Sequence, residues 1–313
     1  VSGALTPAEG SKRISRILGA RDRYAPWLSV LCQGISSAAI SVFFRAGFWD
    51  VAVAFVLGLG VGLIGAGARR FQGVERLREA LAAFAATLVA SLAALALPKV
   101  SVPVVVLAGL ISQFPGLTLT IAMSELATDN LVSGTARLMQ AVATLLKLVF
   151  GAALGARAAE LLGARPWIVA SSPAPAHWIP LAVISASLTA VVLFRARPRD
   201  TGWVVLAGAL AYVSAALGQQ WLGPRIGAFA GGWALGAAAN LFARIMSRPA
   251  TLMVLPGLLI LVPGSLGYRS LSSLFDHDVI TGMDTAFTVV VVAASIVAGL
   301  LFGNVMVSPR RSL

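Results

Sequence analysis

The chain has 313 residues, 58% of them hydrophobic and only 12% charged, with a net charge of +12 and a mean hydropathy of +0.89. A soluble domain carries about a quarter charged residues, so this composition excludes an ordinary water-soluble enzyme. The basic excess does not point to nucleic acid either, because the 24 Lys and Arg residues sit mostly in short links between apolar blocks, where positive charge orients a membrane protein.

In chain order, residues 1–24 form a basic leader. Ile14, Ile17 and Leu18 recur at helical spacing beside Lys12, Arg13 and Arg16, a pattern that describes either a basic amphipathic helix lying on the inner leaflet or a solvated leader. Apolar blocks follow. A hydrocarbon core of about 30 Å needs roughly 20 helical residues. Blocks of that length fall at roughly 25–44, 48–68, 79–97, 102–125 and 131–155, and then at 177–194, 201–218, 224–242, 250–273 and 281–306. The expected fold is all-α and polytopic, with ten transmembrane helices. Ten crossings put both termini on one side. The richest basic links (the leader, Arg69 to Arg78, Arg195 to Arg199, Arg244 with Arg248, and the closing Arg310 and Arg311) alternate with poorer ones. That alternation places the termini in the cytoplasm. The single cysteine, Cys32, excludes an intrachain disulfide.

A shift of about 148 residues aligns the chain with itself. Val106-Leu107-Ala108-Gly109-Leu110 meets Val254-Leu255-Pro256-Gly257-Leu258, and Pro115-Gly116 meets Pro263-Gly264. Gly134 meets Gly282, Gly151 meets Gly299 and Gly155 meets Gly303. The two halves, 25–162 and 163–313, hold five predicted helices each. An odd number makes the second half enter from the opposite side, an inverted five-plus-five repeat of the kind secondary transporters use. Glycines four apart, such as Gly58 with Gly62 and Gly151 with Gly155, let helices approach closely. Such contacts join either parts of one chain or two copies in a homo-oligomer.

Pro115-Gly116 falls near the middle of the fourth predicted span and Pro263-Gly264 near the middle of the ninth. Proline removes a backbone donor and clashes with the preceding turn. Both helices are therefore expected to be broken, either as packing kinks or as a substrate site at the midplane. In the second reading, amides around Gly116, Leu117 and Thr118, with Gly264 and Ser265, begin half-helices whose positive ends hold a carboxylate. Gln113, Thr118, Thr120, Ser265 and Tyr268 supply groups for an ammonium or a polar side chain. Pro115, Gly116, Pro263 and Gly264 supply the breaks themselves.

Ionisable groups inside apolar blocks are costly and mark function. Lys147 is expected to face the bundle and pair with Glu125 or Asp129, which stand four residues apart, and Asp284 lies inside the tenth predicted span. These four are candidates for proton coupling; the plainer reading is that the acids cap helices or neutralise arginines. Asp276-His277-Asp278 is too sparse for a metal site, and neither a cofactor nor a catalytic set is expected. Gly60-Val61-Gly62-Leu63-Ile64-Gly65 matches a dinucleotide fingerprint in spacing alone, since no strand precedes it.

The segments SQFPGLTLTIAMSELATDNLVSGTARL, LVPGSLGYRSLSSLFDHDVITGMD and GLLFGNVMVSPRR resemble the bacterial threonine/serine exporter family. The leader through GFWDVAVAF is similar to that family's first membrane segments. The resemblance implies an inner-membrane protein that exports threonine and serine by proton antiport with alternating access. Pro115, Gly116, Glu125, Gly134, Pro263, Gly264 and Gly282 match the family pattern. It also implies a soluble N-terminal region ahead of the helices, and this chain begins near that region's end. The alternatives are a carrier or channel for another small metabolite, a membrane-embedded enzyme, and an anchor for the soluble region. The expected partners are a small amino acid, protons and the lipid bilayer, with no nucleic acid.

Overall fold

The computed structural model describes residues 9–12, 15, 23–68, 72–97, 99–164, 174–223, 225–261, 264–275 and 278–308. Most of the basic leader, and Pro263, Asp276 and His277, lie outside the described residues.

From residue 23 onward the described residues are helical, and no strand occurs among them. The helices are α1 (Pro26–Phe43), α2 (Phe48–Ala68), α3 (Gln72–Ala96), α4 (Val102–Gly109), a 3-10 turn (Ile111–Gln113), α5 (Gly116–Ala127) and α6 (Leu131–Leu161). They continue as α7 (Trp178–Leu193), a second 3-10 turn (Pro198–Asp200), α8 (Thr201–Leu222), α9 (Ala228–Met246), α10 (Thr251–Leu261), α11 (Gly264–Phe275) and α12 (Val279–Met306). Local chemistry sets several ends. Pro26 and Pro103 stand in the first turns of α1 and α4, where a missing N–H costs nothing. Past the last turns of α1 and α7, Arg45 and Arg195 adopt φ of 59° and 54° and turn the chain toward the next helix.

Two carboxylates that the hydropathy pattern hides organise the helix starts. Asp50, fully buried, accepts the Gly47 N–H at 2.8 Å and the Ser101 N–H at 2.7 Å, tying the start of α2 to the start of α4. Asp200, also buried, pairs with Arg248 and ties the start of α8 to the link before α10.

The packing of α1–α6 recurs in α7–α12. Helix α1 packs on α2 as α7 does on α8, α3 on α6 as α9 on α12, α2 on α4 as α8 on α10, and α5 on α6 as α11 on α12. The two groups meet through α1 against α7, α5 against α12 and α6 against α11. Each group has an apolar core of its own, one centred on Leu110, Leu148 and Val105 and the other on Leu235, Met253 and Ile296. The closest approaches run over glycine. A Cβ added to Gly151 would meet the Ala80 carbonyl oxygen at 2.2 Å, and one added to Gly299 the Phe229 oxygen at 2.2 Å. Helices α3 and α6, and likewise α9 and α12, are thus in backbone contact.

The expected ten-span, inverted five-plus-five architecture is corrected by the helices themselves. Seven described helices are long and apolar enough to cross a membrane, or eight if one bent pair is counted as a single span. Helix α7 has 16 residues and reaches about 24 Å, short of the hydrocarbon thickness. Helix α9 is long enough, but Asn240, Arg244 and its glycines leave it outside the qualifying set. The bends also fall elsewhere than expected. The bent pair is Val102–Gly109 with Ile111–Ala127, at 50°, so the axis turns at Leu110, ahead of Pro115. Thr251–Ser270 qualifies as one 20-residue span, with Pro256 inside its first helix.

Substituting Gly151 or Gly299 by alanine is expected to cost about 1–3 kcal/mol each, because the obstacle is backbone and cannot rotate away. Gly60, with nothing within 4 Å of a built Cβ, should tolerate alanine or gain up to about 1 kcal/mol. Thermal unfolding in detergent checks both; equal shifts at Gly60 and Gly151 would contradict the packing.

Candidate functional site

The chain between α4 and α5 leaves the helical path. Leu110 lies at φ −90°, ψ 4°, the 3-10 turn follows, and Phe114 is extended with ψ 130°. Pro115 then stands at the N-cap position and buried Gly116 opens α5. The α5 N-terminus faces a cavity of about 450 Å³ whose walls include Gln33 of α1, Arg78 of α3, Ser112, Gln113 and Thr118. Gln33 is buried and its Nε2 donates to Ser112 Oγ, to which Gln113 Nε2 also donates at 3.4 Å. Pro115 and Gly116 line the same space.

The structure therefore brings together Gln113, Pro115, Gly116 and Thr118. Thr120 is not among the cavity walls: fully buried, its hydroxyl donates back to the Gly116 carbonyl at 3.2 Å. Tyr268 is buried and its ring lies 5.3 Å from that of Phe114, so α11 meets the α4–α5 break through this aromatic pair. Gly264 opens α11 and Ser265 follows in its first turn.

A second cavity, of about 550 Å³, lies toward the other end of α1, with Phe43, Arg45, Tyr212, Gln219 and Ile260 among its walls. Pro26 to Gln33 line the first cavity, Ile40 to Phe44 the second, and Ile111 and Leu259 line both.

The four candidate proton carriers are dispersed. Glu125 accepts from Arg137 Nε at 2.9 and 3.1 Å and from Ser133 Oγ at 2.9 Å, across the turn joining α5 to α6. Asp129 occupies that turn at φ 62°. Asp284 is paired with Arg225 at 2.6 Å and its side chain is 63% exposed. Lys147 pairs with neither Glu125 nor Asp129; its Nζ lies 3.7 Å from Glu79 and donates to the Arg76 carbonyl at 3.4 Å. The reason is helical phase. Lys147, Gly151 and Gly155 repeat every four residues, and the two glycines seat on α3 at Ala80 and Phe84, so the lysine faces the same helix one turn earlier.

That spacing could have exposed Glu79, which sequence reasoning passed over, together with Arg78. Gln33 and Ser112 carried no signal beyond being polar in apolar blocks. Among the described residues, no group of three or more His, Cys, Asp or Glu could hold a metal ion.

Outside the spans, Asp278 caps α12 by accepting the Thr281 N–H at 3.2 Å. Thr281, through its side chain and its backbone, holds this carboxyl below the usual carboxylate range.

Comparison with known proteins places these features in context. Residues 1–158 match the family model ThrE, described as "Putative threonine/serine exporter", and residues 180–306 match ThrE_2, "Threonine/Serine exporter, ThrE". The pheromone-regulated membrane protein 10 of Candida albicans is 27% identical over 299 residues, covering 89% of this chain and 25% of that protein. Its namesake in Debaryomyces hansenii is 25% identical, covering 96% and 31%. The threonine/serine exporter of Corynebacterium glutamicum is 23% identical over 315 residues, covering 97% of this chain and 64% of that one. The chain thus spans about a quarter to a third of the length of these fungal relatives. No solved structure matches the chain.

Because the Asp278 carboxyl is depressed in the folded state, its contribution to stability is present above the unfolded carboxyl pKa and fades as pH falls through the folded one. Asp278→Ala should therefore lower the melting temperature at neutral pH, and the gap from the unsubstituted protein should close in acid. Melting curves across pH check this; a gap that persists unchanged in acid would refute the cap.

Proposed function

We propose what the chain does from one premise: it belongs to the threonine/serine exporter family. The chain is a multi-pass membrane protein, and the family is one of transporters rather than enzymes. Our reading is export of threonine and serine across a bacterial inner membrane, with basic links facing the cytoplasm. A proton moving the other way drives it.

The observation that carries this reading is the pair of cavities at opposite ends of α1, with Ile111 and Leu259 as common walls. Two pockets that meet at a shared apolar partition suit alternating access, in which a site is reached from one side and then from the other. A volume of about 450 Å³ is at the scale of small-ligand pockets and accommodates a free amino acid. The α5 amides suit its carboxylate, and the Gln33, Ser112 and Gln113 network suits its hydroxyl and ammonium. Threonine and serine differ by one methyl, a difference worth only about 1–3 kcal/mol in an apolar pocket, so both are expected to move.

Proton coupling is assigned first to Glu125, whose carboxylate sits at a helix–helix turn with a single guanidinium partner. Asp129, Lys147 and Asp284 are the other candidates.

In proteoliposomes, labelled threonine should move saturably, follow a pH gradient and be competed by serine, with coupling lost in Glu125→Gln. Flux that neither saturates nor depends on pH would favour a channel. The partition makes its own prediction. Ile111→Ala with Leu259→Ala should raise gradient-independent leak at least severalfold while the protein stays folded, as measured by threonine flux at equal pH on both sides. An unchanged leak would mean that these two side chains do not separate the cavities.

A further inference from the structure

Helix pairs α3–α6 and α9–α12 pack through the same contacts, and this turns one pair into a control for the other. Lys147 Nζ donates to the Arg76 carbonyl at 3.4 Å, and Ser295 Oγ donates to the Arg225 carbonyl at 3.4 Å. A Cβ on Gly151 would meet Ala80 O, and one on Gly299 would meet Phe229 O, both at 2.2 Å. These contacts align Arg78 and Glu79 with Gly227 and Ala228, and Lys147 with Ser295. Three charged residues on one side stand where the other side has none. The backbone approach is the same in both pairs, so the close packing at Gly151 and Gly299 does not require charge at these three positions.

Charge retained in an apolar helix without a packing need points to a ligand. The position of Arg78 identifies which one. Its side chain lines the 450 Å³ cavity with Gln33, Ser112, Gln113 and Thr118. One terminal nitrogen donates to Glu79 Oε1 at 3.3 Å and the other lies 3.8 Å from Glu75 Oε1. Its Nε is buried without a hydrogen-bond partner. A guanidinium presents several donors in a planar fork that matches a carboxylate, and the terminal nitrogen 3.8 Å from Glu75, beyond hydrogen-bond reach, has donors to offer one. The two cavities also differ at matching positions. At the positions of Ser112 and Gln113, the second cavity has Ile260 and Leu261, and its own cation, Arg45, comes from the end of α1 and not from the helix that matches α3.

We propose that Arg78 holds the carboxylate of the transported amino acid, with the Glu79–Lys147 pair as the positioning element that orients the guanidinium. Glu79 takes one edge of the fork and shares its charge with Lys147 on the α6 side at 3.7 Å, while Glu75 stands off the other edge at 3.8 Å, where a bound carboxylate would compete with it. This rests on the exporter reading and adds to it the group that recognises an amino acid as an acid.

The test uses the full chain in proteoliposomes and two competitors of labelled threonine: unlabelled L-threonine, and L-threoninol, in which an alcohol replaces the carboxylate. The unsubstituted protein should prefer threonine over threoninol at least tenfold. Arg78→Gln should raise KM for threonine at least tenfold and abolish that preference, with Arg78→Lys intermediate. If Arg78→Gln does not fold, the triple variant R78A/E79A/K147S leaves no buried charge unpaired and resembles the α9–α12 pair, which has no charge at these three positions. It should fold and lose the preference in the same way. Transport that slows in either variant while the threonine-over-threoninol preference is kept would overturn the assignment and leave Arg78 a structural residue. An unsubstituted protein that moves neither threonine nor serine would overturn the exporter reading itself, and the anchor with it.

Discussion

Inside a membrane every backbone N–H and C=O must find a partner, and an interrupted helix is tolerated only where protein or water receives the freed groups. The interval from Leu110 to Pro115 breaks the helical ladder in the middle of the bundle, and much of the arrangement around it can be read as an answer to that break. Helices α1 and α2 lie against α4, Gln33 reaches across to Ser112, and the Phe114 ring is covered by Tyr268 from the other helix group. On its remaining side the break faces a cavity. A site for a small polar molecule thus arises where the bundle has the greatest need of polar partners.

The parts of this arrangement that the sequence revealed are those with a local cause. Proline at a helix start, glycines four residues apart and long apolar blocks each act on their own neighbourhood, and α1, α2, α6 and α12 stand close to where such signals put them. The span count needed more than local signals. Apolar blocks such as 177–194 and 224–242 look equally able to cross, yet α7 is too short and α9 too interrupted by polar side chains. The pairing of Lys147 with Glu79 was hidden for a related reason. The acids at 125 and 129 are near in sequence, but the choice of partner belonged to which helix α6 lies against. Asp50 and Asp200 look like loop acids at the edge of apolar runs, and only the fold reveals that their oxygens hold separate helices together.

The likeness between the two helix groups is as informative where it fails as where it holds. Matching glycine contacts and matching turns after α1 and α7 set a shared scaffold. Against that background, Ser112 and Gln113 in one group, where the other has Ile260 and Leu261, stand out as departures. A scaffold used twice with different side chains has a direction: a molecule crossing it would meet Arg78, Gln33 and Ser112 on one side and Arg45, Tyr212 and Gln219 on the other.

Arg45 and Arg195 have a consequence for anyone who would stabilise this protein. Both hold the left-handed backbone conformation, which costs a residue with a β-carbon roughly 1–2 kcal/mol and glycine almost nothing. Glycine at these two corners is the obvious gain for an engineer seeking a hardier sample. At Arg195 it would also strip a cation from one of the rich basic links, leaving less to tell the insertion machinery which way round to place the chain, whereas Arg45 stands in a poorer link and its loss would sharpen that contrast.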